Sequence, residues 1–102
     1  MKPGKYDRKH QFQMTGVELR ELKRHTEDLP QSFGLDHRLQ RYQGQRPIGL
    51  YRSDLEYLLD ILSVVLENTD LYPSQQSKGF LALKAVHDRF KKAYESAYRK
   101  TV

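Results

Sequence analysis

Sixteen consecutive residues, Ser53 to Asn68 (SDLEYLLDILSVVLEN), form the most apolar run of the chain and set what the rest must fold around. Leu55, Leu58, Leu59, Leu62, Val65 and Leu66 recur at the i, i+3, i+4, i+7 spacing of one helix face. Ile61 widens that face, Tyr57 and Val64 lie on a second flank, and Glu56, Asp60, Ser63 and Glu67 make a narrow polar stripe opposite. A helix apolar over so much of its circumference packs on more than one side, so this stretch reads as the central helix of a small bundle. Ser53 and Glu56 have the spacing of a capping box, with Asp54 favourably placed in the first turn. The stretch is too short and too acidic to cross a bilayer, which takes about 20 mostly apolar residues.

Neighbouring segments repeat the helical pattern more weakly. Thr15 and Glu18 have capping-box spacing, Met14 and Leu19 that of a hydrophobic staple, and Leu19, Leu22, Thr26 and Leu29 share a face. Pro30 stops that helix near Asp28. Leu35, Leu39 and Tyr42 outline a short helix, with Gly44 suited to a left-handed position beyond its end. Near the C-terminus, Phe80, Leu83, Val86, Phe90, Tyr94 and Tyr98 lie along one long face, and Gly79 favours a late start. The fold class expected is all-α: a small helical bundle with three main helices (about 15–28, 53–68 and 76–99) and a short one (about 35–43). Residues 1–13, with Pro3, Gly4 and several charges but no periodicity, read as a flexible basic arm, and 14–102 as a single domain. Tyr6 and Phe12 are the arm residues able to dock on the body.

The net charge is +5, but its distribution matters more. Residues 53–73 carry five acidic and no basic residues, whereas residues 31–52 carry four basic and one acidic. An acidic helix between basic neighbours accounts for part of this by pairing inside the fold; the remaining basic surface suits an acidic partner. With no cysteine, disulfides and thiolate metal sites are excluded. No apolar leader is visible in the first fourteen residues, and a cytoplasmic setting is expected.

Motifs of catalysis are missing. His10, His25, His37 and His87 lack the spacing that puts two ligands on one helix face, and there is no GxxxxGK[ST], GxGxxG or GxSxG. Asp60 and Glu56 stand one turn apart, a spacing read as part of a salt-bridged stripe. The expectation is therefore no catalytic residue, no metal and no cofactor. What stands out is Arg38, Arg41, Tyr42, Arg46, Tyr51 and Arg52, six residues within fifteen, interleaved with Gln40, Gln43 and Gln45. Arginine brings a planar fork for carboxylate or phosphate, and arginine and tyrosine dominate protein–protein hot spots. These six are the expected partner-binding residues of a non-catalytic protein-interaction module, self-associating or serving as an assembly subunit. The alternative is a nucleic-acid-binding domain using the basic arm and the basic face of the last helix, with affinity falling steeply in salt.

Overall fold

The leucine-rich stretch folds as its periodicity requires. In the computed structural model, which describes residues 9–27 and 34–98, it is α3 (Arg52–Glu67). Before it come β1 (His10–Phe12), α1 (Gly16–His25), α2 (Leu35–Arg41) and β2 (Ile48–Leu50); after it comes α4 (Lys78–Tyr98). The chain is thus a small helical bundle with one short helix. Beside the helices runs a two-stranded antiparallel ladder that the sequence did not announce, pairing His10 with Leu50, Gln11 with Gly49 and Phe12 with Ile48. Three residues assigned to the arm are therefore held in a strand, and residues 1–8, Tyr6 included, lie outside the described residues. Phe12 meets Phe90 of α4 edge-on at 4.8 Å between ring centres, and this contact docks the ladder on the bundle.

The core joins Leu22 of α1, Leu39 of α2, Leu50 of β2, Leu55, Leu58 and Leu62 of α3, and Leu83, Val86 and Phe90 of α4, all fully buried. Each such side chain contributes roughly 1.5–3 kcal/mol by leaving water. α4 is the helix that packs against both α1 and α3, so the shared middle position expected for residues 53–68 belongs to it. α3 buries one face only: Leu59, Ile61, Val65 and Leu66 are half-buried, and Val64 is 69% exposed.

Helix ends follow distant partners more than local spacing. α3 begins two residues earlier than the Ser53 cap implied, with Tyr51 as its N-cap. Asp54, its third residue, accepts the Tyr51 amide at 2.9 Å and the Arg38 Nη2 at the same distance. At α1, Thr15 takes the N-cap position with no side-chain bond, and Glu18 accepts from Arg89 Nη2 of α4 at 2.6 Å. Thr26, not Asp28, closes α1, its hydroxyl donating to the Leu22 carbonyl at 2.7 Å; Asp28, Leu29, Pro30 and Phe33 lie outside the described residues. α4 starts at Lys78, with Ser77 Oγ accepting the Phe80 amide. Gly79 sits inside its first turn because a Cβ there would come within 2.9 Å of Glu21 Oε1. Gly44, two residues past the Tyr42 cap of α2, has φ +80° and lies against the Met14 carbonyl, where a Cβ would clash.

Candidate functional site

The loop between α2 and β2 turns back along the ladder, and the turn leaves a groove of about 520 Å³ at its side. Arg38 and Arg41 reach it from α2, one turn apart. Tyr42, Gln43, Gln45, Arg46 and Pro47 supply the loop wall, Ile48 and Gly49 the strand floor, and Lys9 the far lip. The Lys9 stem runs over Gly49 so closely that a Cβ at that position would overlap it. A side chain at this position would displace the Lys9 stem.

The groove is cationic throughout. Lys9, Arg38, Arg41 and Arg46 line it, and among the described residues no carboxylate does. Arg38 is the exception in function: its fork donates to Asp54 at 2.9 Å and to the Gly49 carbonyl at 3.4 Å, tying α2 to β2 and α3. Asp54 is nearly buried and answers the Arg38 charge. Arg41 donates Nε to the His37 carbonyl, a neutral group. Among the described residues, no ion pair includes Lys9, Arg41 or Arg46. Three exposed cations thus share one groove without a counter-charge among the described residues.

The six residues singled out by sequence divide. Arg38, Arg41, Tyr42 and Arg46 meet in the groove. The Tyr42 hydroxyl accepts the Met14 amide at 3.4 Å, which fixes its ring in the wall. Tyr51 sits half-buried as the N-cap residue of α3, and neither it nor Arg52 lines the groove. Arg52 points into a different cluster, its guanidinium carbon 5.1 Å from the centre of the Tyr98 ring and its Nε 3.6 Å from Glu56. There Tyr94 donates to Glu56 at 2.6 Å, and that bond, with burial, raises the Tyr94 pKa. Gln40 also leaves the group: it exchanges hydrogen bonds with the backbone and side chain of Lys23, joining α2 to α1. Lys9 went unnoticed in sequence because it stands in a stretch without periodicity. The signal that could have found it is the short run HQF beside it, matched in length by the IGL run.

A second polar assembly lies between α1 and the start of α4. Tyr72 donates to Glu21 Oε1 at 2.6 Å, and His25 Nε2 lies 2.7 Å from the same hydroxyl. A phenol has one proton; with that proton donated to Glu21 in a hydrogen bond, His25 Nε2 must be the donor to Tyr72. Arg24 reaches Glu21 at 3.4 Å. Burial, reinforced by Arg24, lowers the His25 pKa, while burial and the Glu21 bond raise that of Tyr72.

Two further features bear on chemistry. Ser63 Oγ lies 3.3 Å from His87 Nε2, and His87 Nδ1 lies 3.1 Å from Asp88 Oδ1, the connectivity of a nucleophile, base and orienting acid. Asp88 is open to water and shared with Lys84 at 3.0 Å. Partial burial pushes its pKa up, but the His87 and Lys84 bonds outweigh this and leave it lowered. Among the described residues, no group of three or more His, Asp or Glu could hold a metal ion, and no helix is long and apolar enough to cross a membrane. No family model, curated protein or solved structure matches this chain.

Proposed function

We propose that this chain is a non-catalytic interaction module whose groove binds an acidic segment of a protein partner, in a cytoplasmic setting. The observation that carries the reading is the trio Lys9, Arg41 and Arg46, gathered in one groove that no carboxylate among the described residues lines. Fold stability does not call for that arrangement, since like charges brought together repel. Pro47 and Ile48 between the cations offer apolar contact, and the paired Arg38 holds the floor in shape. Arginine forks suit carboxylates in two-pronged geometry.

Binding is favoured over catalysis because Asp88, the acid that would orient His87, is open to water and shared with Lys84. A protein partner is favoured over nucleic acid because the outer face of α4 offers no continuous basic track. Lys84 is tied to Asp88, Arg89 is tied to Glu18, and Lys91 and Lys92 stand between Asp88 and Glu95.

Fluorescence anisotropy with a labelled oligoglutamate peptide and with single- and double-stranded oligonucleotides, each at low and moderate salt, tests this. The expected result is saturable binding of the peptide and weaker binding of the nucleic acids. Tight oligonucleotide binding with a steep salt slope, and none of the peptide, would transfer the function to nucleic acid. Absence of binding to every probe would remove the reading.

A further inference from the structure

The acidic surface that complements the groove is present on the same chain. Asp60, Ser63, Val64 and Glu67 are all exposed and fall at i, i+3, i+4 and i+7 of α3, so they form one face. Asp70 and the exposed Leu71 follow just past its end. Among the described residues, no ion pair includes Asp60, Glu67 or Asp70. Among the described residues, the salt-bridged stripe expected from the sequence is realised at Glu56 alone, with Arg52. The face cannot reach the groove of its own chain. Arg38 holds the groove to α3 at Asp54, and Asp60 and Glu67 lie about 9 Å and 20 Å farther along the helix axis.

We infer that the groove receives the Asp60–Val64–Glu67 face of a second copy of this chain. This rests on the proposed groove function and names its occupant. An amphipathic helix face laid in a groove is a recurring recognition mode. Here the polarity is that of a small apolar centre between charges: Val64 meets Pro47 and Ile48, while Asp60 and Glu67 meet Lys9, Arg41 and Arg46. The contact joins unlike surfaces, so each copy keeps one groove and one face to offer. It either closes reciprocally in a two-fold pair or continues from copy to copy.

The test uses the full chain and two variants. Arg41→Glu with Arg46→Glu reverses the groove, and Asp60→Lys with Glu67→Lys reverses the face. All four positions are exposed, and unchanged melting curves confirm that both variants fold. Sedimentation velocity of the wild type at low salt is expected to show mass rising with concentration and dissociation on adding salt. Each variant alone is expected to raise the apparent dissociation constant at least ~10-fold. An equimolar mixture of the two is expected to associate again, because each reversed surface then meets its complement. A wild type that stays monomeric at its highest soluble concentration overturns the inference, as does a mixture that fails to recover. A monomeric wild type that still binds the oligoglutamate peptide would leave the module reading intact, whereas loss of both would remove the two together.

Discussion

The buried polar assembly around Glu21 and the groove around Arg41 use similar side chains to opposite ends. In the first, Glu21, Arg24, His25 and Tyr72 answer one another within hydrogen-bonding reach, and the start of α4 is shaped to admit them through Gly79. In the second, cations are brought together and left facing water. A charge that meets its complement inside the chain holds elements in place. A charge denied one is available to another molecule. Arg38 and Arg52, both from the arginine-rich segment, fall on the first side of this line through Asp54 and Glu56, and Arg41 and Arg46 on the second.

The strongest attempt to break the contrast is Glu21→Ala. It leaves the Tyr72 hydroxyl and Arg24 without their shared acceptor in a largely buried place, and denaturant unfolding should show a loss of about 2–3 kcal/mol. A loss indistinguishable from zero would mean the assembly is no more structural than the groove. Gly44→Ala comes next. With φ at +80° and the Met14 carbonyl in the way, it is expected to cost about 1–2 kcal/mol, and it tests whether the loop carrying Arg46 is fixed by the fold. Tyr72→Phe removes one bridging hydroxyl and should cost about 1 kcal/mol.

The pH dependence sharpens the same contrast. The His25 pKa is lowered in the fold from 6.5, so the unfolded chain binds the proton more readily; the stability this histidine supports is complete above 6.5 and falls as pH drops below it. Tyr72 is raised from 10.0, so the unfolded chain ionises first and stability falls as pH rises above 10. Melting temperature followed across pH should therefore bend at both ends, and the alkaline bend should weaken in Tyr72→Phe. An unaltered alkaline profile in that variant would contradict the assignment.

Much of the fold was legible because it depends on local periodicity. The leucine spacing of α3, the long aromatic face of α4 and the Met14–Leu19 pair need no knowledge of distant residues. Thr15 was legible as the N-cap of α1, but the Ser53 cap and the partners of the capping acids were not, because Asp54 and Glu18 are drawn to Arg38 and Arg89 from other elements. The ladder was missed for a related reason: three-residue strands carry almost no alternation, and the pairing of His10 with Leu50 is settled by Phe12 docking on Phe90. Of the site, Arg41 and Arg46 could be found by proximity in sequence. Arg52 could not be separated from them, since only its place on the first turn of α3 sends it towards Tyr98.

The central claim is that Arg41 and Arg46 serve a partner rather than the fold. It is tested most directly by measuring thermal stability and oligoglutamate affinity on one preparation of the Arg41→Ala, Arg46→Ala double variant. The account predicts a stability within about 0.5 kcal/mol of wild type and an affinity reduced at least ~10-fold. A variant that melts well below wild type, or that binds the peptide as wild type does, would contradict it.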